Sequence, residues 1–166
     1  MLSRPVAIPV AKGTKRILDR VFTEAPLHTM GQLGVHGIAF SRIALAQFHL
    51  AAGDAGRALN VASTALQFAQ EKRLGLEGVV HRTFGEIYHV LGNRDEADAE
   101  FRRSLNVLEE IQSRPELAQI LVSLWAVSTG DNQQIDRSLI QRALDLFVEM
   151  GATGWIEEAN AALSVA

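Results

Sequence analysis

Histidine is the side chain to weigh first for chemistry, because its imidazole binds metals and exchanges protons near neutral pH. The sequence has five, His28, His36, His49, His81 and His89. No two stand four apart, the spacing that places two ligands on one helix face, and no carboxylate completes a recognisable ligand set. Surface or packing histidines are the simpler reading. Glu109-Glu110 and Glu157-Glu158 are adjacent pairs whose members point to different sides of a helix, so they read as solvated faces rather than acid and base. Ser104, Ser123 and Ser128 lack the Gly-x-Ser-x-Gly setting that exposes a nucleophile at a strand-to-helix turn. The Gly-x-x-Gly turns are too short for a phosphate loop and no Lys-Ser or Lys-Thr follows them. Cysteine is absent, which excludes disulfides, thiolate metal sites and cysteine nucleophiles. Trp125 and Trp155 read as anchors of a core and of its cap. These residues predict no enzyme, no metal and no cofactor.

Composition narrows what could position such residues. The 166 residues suffice for one domain with a sizeable core. Aromatics make up only 6% while alanine and leucine abound, which favours closely packed helices over a β-sandwich. A formal net charge of −3 supplies no attraction for nucleic acid, and the small basic clusters Lys72-Arg73 and Arg102-Arg103 are offset by nearby acids. No apolar run approaches the roughly 18 residues that a membrane helix needs. The patch after Arg4 is interrupted by Pro5 and Pro9 and is too short for a signal-peptide core. A cytoplasmic protein that binds neither membrane nor nucleic acid is expected.

The strongest signal is internal repetition. Ala44-Leu45-Ala46-Gln47-Phe48-His49-Leu50-Ala51-Ala52-Gly53-Asp54 and Thr83-Phe84-Gly85-Glu86-Ile87-Tyr88-His89-Val90-Leu91-Gly92-Asn93 are both apolar helical stretches ending in Gly followed by Asp or Asn. Gly53 to Gly92 is a step of 39, which also carries Ala58 to Ala97, Leu66 to Leu105 and Leu105 to Leu144. A third copy ends at Gly130-Asp131, 38 residues after Gly92. A second marker, an apolar residue, Gly, two variable residues, Gly and an apolar residue, recurs as Leu33 to Ile38, Leu74 to Val79 and Met150 to Trp155. At the remaining junction Ser113-Arg114-Pro115 takes its place as a helix break.

Within each unit the spacing is helical. Ala58, Ala62, Ala65, Leu66 and Ala69 mark one face, as do Ala97, Phe101, Leu105 and Leu108, and Leu117, Ile120, Leu121, Leu124 and Trp125. Glycine at each turn suits a helix C-terminus, and the neighbouring Asp54 or Asn93 is placed to cap the next helix. The predicted fold is all-α: a right-handed α-solenoid of three helix pairs, near 36–52 with 55–73, 77–91 with 94–112, and 115–129 with 132–149. A C-terminal helix near 154–164 caps the stack. Residues 1–13 read as an extended or disordered leader, and 14–166 as one repeat domain with units near 36–73, 77–112 and 115–149. Ile17, Leu18, Val21 and Phe22 predict an N-terminal helix over 14–24, where the second helix of a preceding unit would lie, and Pro26 ends it.

The second unit resembles a tetratricopeptide repeat. Phe84, Gly85, Tyr88, Gly92, Ala97, Phe101 and Ser104 fill the family's positions in order, with small residues letting two axes approach and Tyr88 and Phe101 filling the gaps beside them. The first unit matches at Leu45, Ala46, Gly53, Ala58 and Ala65, with His49 and Ala62 where aromatics are usual. The third has Ser123 at the small position and needs one extra residue between Gly130 and Leu144. The long repeat and the ending from Leu146 to Ala159 resemble the C-terminal repeat regions of bacterial ATPase-linked cyclases and of maltose-regulator-type transcription activators, where repeats receive a signal and restrain an output domain.

The resemblance implies a protein or peptide ligand along the first helices. Carried over through the turn glycines, the concave positions are Phe40, Ile43, Gln47 and Leu50, then Val79, Arg82, Glu86 and His89, then Leu117, Ile120, Leu124 and Val127. The middle set is polar and the outer two apolar, which suits an amphipathic helix or an extended segment with apolar anchors. Gln47 and Glu86 stand where chaperone-tail binders of the family carry Asn, so that specificity is not expected. The competing reading makes the apolar positions intra-chain core, because an open patch of that size promotes self-association, and a homo-oligomer is accordingly possible. A small-molecule-sensing domain is the alternative function, with Arg82, Glu86 and His89 as its pocket.

Overall fold

The computed structural model describes residues 34–72, 75–130 and 137–165. They form seven helices: α1 Gly34–Ala51, α2 Ala55–Lys72, α3 Glu77–Val90, α4 Arg94–Glu110, α5 Arg114–Gly130, α6 Arg137–Glu149 and α7 Thr153–Val165. No strand occurs among the described residues, which are all-α. The expected leader 1–13, the helix at 14–24 and the residues after Gly130 at the third turn lie outside them.

Short turns force consecutive helices to double back. Thus α1 packs on α2, α3 on α4, α5 on α6, and α7 on α6. The first helix of a hairpin also meets the hairpin before it: α3 touches α1 and α2, and α5 touches α3 and α4. The first helices therefore run beside one another, and the α3–α4 hairpin lies between its chain neighbours.

One turn geometry recurs. The Gly53 N–H donates to the Leu50 carbonyl at 3.0 Å and the Asp54 N–H to the His49 carbonyl at 2.9 Å. Gly92 and Asn93 repeat this on His89 and Tyr88 at 3.0 and 2.9 Å. Gly53 and Gly92 hold φ of +82° and +80°, open only to a residue without a β-carbon at low cost. The α4–α5 junction differs from expectation. The left-handed residue there is Gln112, at φ +53°, and it makes the same pair of bonds to Glu109 and, through Ser113, to Leu108. The break thus begins at Gln112, one residue before Ser113-Arg114-Pro115, and a glutamine occupies a glycine position.

The caps also part from expectation at one site. Asp54 Oδ1 accepts the Arg57 N–H at 3.0 Å and caps α2. Asn93 makes no side-chain cap bond; only its carbonyl receives the Ala97 N–H, and Asp95 and Glu96 supply the negative charge that this helix start favours. At the start of α5 the Ser113 hydroxyl bonds to the Glu116 carboxylate.

Burial repeats along the second helices with a step of 39. Ala62, Phe101 and Ile140 are buried, as are Ala65, Ser104 and Ala143, and Ala69, Leu108 and Phe147. Side-chain volume varies across each set, and so does the residue on the facing helix. Gly78 and Gly85 on α3 face Leu108 and Phe101 on α4. The positions 39 residues earlier are Ala39 and Ala46 on α1, with Ala69 and Ala62 on α2, all fully or almost fully buried. The second hairpin thus sets glycine against a large side chain where the first sets alanine against alanine. At the C-terminal end Trp155 of α7 stacks on Phe147 of α6, with ring centroids 5.3 Å apart.

Candidate functional site

The first helices meet at a polar cluster. Arg82 and Glu86 lie one turn apart on α3, and Arg82 Nη1 donates to Glu86 Oε1 at 3.0 Å. From α5 the Ser123 hydroxyl donates to the same oxygen at 2.8 Å. The arginine side chain is 12% exposed and the glutamate 8%, so this is an ion pair largely withdrawn from water. Arg82 Nε is buried with no hydrogen-bond partner. The corresponding first-helix residues on either side are apolar and buried: Ile43 in α1 and Ile120 in α5 stand in the place of Arg82. A largely buried ion pair beside units that carry isoleucine at the arginine's position adds little to stability for the desolvation it requires.

A second pair ties α3 to α4. His81 Nδ1 lies 2.6 Å from Glu100 Oε2, both side chains mostly buried, and Arg103 binds the other carboxylate oxygen. Sequence reading passed over this pair. Antiparallel arithmetic does not find it: the register that sets Gly85 against Phe101 and Gly78 against Leu108 puts Leu105 opposite His81, and Glu100 reaches the imidazole from outside that register. Arg42 takes the position of His81 in the first hairpin, its guanidinium 4.5 Å from the centroid of the Phe68 ring, with Nη1 bonded to the Thr64 carbonyl.

The concave positions divide by exposure. Ile43, Val79, Leu117 and Ile120 are buried in the core, so they do not line an open groove; neighbouring helices close over them. Leu50 and Leu124 are half-buried against the same core. Gln47, Arg82, His89 and Val127 are partly accessible, Glu86 is buried, and Phe40 is 46% exposed. What remains reachable on this face is a broken strip of Phe40, Gln47, Leu50, His89, Leu124 and Val127 around the Arg82–Glu86–Ser123 cluster.

A serine donating to a carboxylate with no imidazole between them lacks the base that activates a hydroxyl. Among the described residues no three His, Asp or Glu side chains converge as metal ligands, and no helix is long and apolar enough to cross a membrane. The cluster offers hydrogen bonds and charge to a polar group. Comparison with models of protein families, with characterised proteins and with solved structures gave no match.

Proposed function

We propose that this chain is a protein-interaction module: a right-handed stack of tetratricopeptide-like hairpins that holds a peptide or protein segment along its first helices. The observation that carries the reading is the burial step of 39 in the second helices, together with first helices lying side by side. Stacked repeats of this kind expose one row of first helices as a continuous recognition surface. Here the accessible strip is mixed, with Phe40, Leu50 and Leu124 as apolar contacts and Gln47 and His89 as polar ones. An amphipathic segment fits it better than a uniformly charged one. By its resemblance to the repeat regions of bacterial signalling proteins, the module acts in the cytoplasm as a sensor or regulatory part.

A second reading draws on the buried, unpaired Nε of Arg82. A small polar ligand reaching that atom would make the domain a metabolite sensor.

A peptide selected from a displayed library against the intact chain tests the first reading. Its affinity, measured by fluorescence anisotropy, should fall at least about tenfold, roughly 1.4 kcal/mol, in Gln47→Ala and His89→Ala. Glu110→Ala, exposed at the end of α4, should leave it unchanged. Equal effects from all three, or selection of no binder, would remove the proposal. A metabolite that raises Tm while no peptide binds would favour the sensor reading.

A further inference from the structure

We infer that the Arg82–Glu86 pair determines specificity within the strip, and that it takes the side-chain carboxamide of a Gln or Asn in the bound segment. The inference rests on the peptide-binding reading and adds to it the chemistry of one ligand side chain.

The first argument follows the hydrogen bonds. Both bonds to the Glu86 carboxylate fall on Oε1, from Arg82 Nη1 at 3.0 Å and from the Ser123 hydroxyl at 2.8 Å. Among the described residues, Glu86 Oε2 accepts no bond and Arg82 Nη2 donates none. Of the side-chain nitrogens and oxygens of this pair, Arg82 Nε alone is both buried and without a partner. Oε2 and Nη2 therefore keep contact with the surface. The pair presents one open acceptor and one open donor, held together by the bond between their other ends.

The second argument is charge. Guanidinium and carboxylate neutralise one another, with the side chains only 12% and 8% exposed. A ligand carboxylate that bonds to Nη2 meets the Glu86 carboxylate, and a ligand ammonium that bonds to Oε2 meets the guanidinium. At this depth water screens neither repulsion well. A carboxamide is neutral and carries its acceptor oxygen and its donor nitrogen on separate atoms, so it can bond to both partners at once.

The third argument is depth. The pair is recessed, whereas Phe40 on the same strip is 46% exposed. A main chain lying along the strip stays above the pair, and a side chain reaches down to it. The group read here is therefore a side-chain amide and not a backbone one.

A displayed library of random peptides is selected against the intact chain and against the double variant Arg82→Ile with Glu86→Leu, whose folding is checked by its Tm. Binders of the wild-type chain should share a Gln or Asn at one position, and binders of the double variant should carry an apolar residue there. With one wild-type binder as the probe, changing that Gln to Glu or to Met should each weaken binding to the wild-type chain about tenfold, because a recessed donor or acceptor loses its partner. These two peptides need no protein variant, so they decide the point even where the double variant fails to fold. On a folded double variant the Met peptide should bind at least as well as the Gln peptide. Wild-type binders that share an acidic residue or no residue at that position would overturn the inference and leave the peptide-binding reading standing. So would a Gln-to-Met change without effect, or the same Gln preference in the double variant. A library that yields no binder would remove both.

Discussion

The ring of Phe101 occupies the space that a side chain at position 85 would need. A β-carbon built on Gly85 falls 2.5 Å from Cδ1 and 2.6 Å from Cε1 of that ring, and Phe101 is fully buried. The ring has nowhere to go, so α3 and α4 must separate. Gly85→Ala should therefore destabilise by about 1–2 kcal/mol, the overpacking penalty outweighing the gain in helix propensity. Gly154→Ala, where the new methyl meets open space near the start of α7, should be neutral or stabilising by about 0.5 kcal/mol. Urea unfolding of the two variants measures the contrast.

Ser104 is fully buried and its hydroxyl has no hydrogen-bond partner. The equivalent residues of the other hairpins are Ala65 and Ala143, which shows that the site accepts a methyl group. Ser104→Ala should stabilise by about 1 kcal/mol, because it removes an unsatisfied polar atom without leaving a hole. The expected signature is a higher urea midpoint with an unchanged m-value.

Gln112 holds a left-handed backbone where two other turns use glycine. Gln112→Gly relieves that strain and gains chain entropy in the unfolded state, two effects of opposite sign. The strain term is the larger, so a net gain of about 0.5 kcal/mol is expected. Thermal unfolding of this variant beside Ser113→Gly, whose backbone is not left-handed, checks the assignment of the turn.

The Arg82–Glu86 pair predicts non-additivity. Glu86→Ala alone leaves a largely buried guanidinium and an unpaired Ser123 hydroxyl, and should cost about 3 kcal/mol. The double variant Arg82→Ile with Glu86→Leu copies the apolar residues of the neighbouring unit, Ile120 and Leu124, and should cost far less, at most about 1 kcal/mol. Chemical unfolding of singles and double completes the cycle. A double variant as damaged as the sum of its singles would mean that the two side chains act independently.

Much of this fold was legible in the residues. The glycines at 53 and 92, each followed by Asp or Asn, marked two helix ends because a left-handed residue is scarcely replaceable there. Gly85 and Phe101, sixteen positions on, announced a close helix contact through their difference in size. The turn at Gln112 escaped notice because only its backbone, and not its residue type, is that of a glycine. Asn93 has the chemistry of a cap and does not act as one. The candidate site was less legible for a physical reason. Spacing places Ile43, Val79, Leu117 and Ile120 on first-helix faces, yet whether a face is open depends on which helix lies over it. Long-range pairs such as Glu86 with Ser123 depend on how hairpins stack, which no local spacing records.

The central claim is that ligand recognition belongs to the first helices. The direct measurement is an NMR titration of the isotope-labelled chain with a selected peptide, following backbone amides residue by residue. The account predicts shifts concentrated at Gln47, Leu50, Glu86, His89 and Leu124 on α1, α3 and α5, with little change along α2, α4 and α6. Shifts gathered instead on the outer faces of α2, α4 and α6 would contradict it.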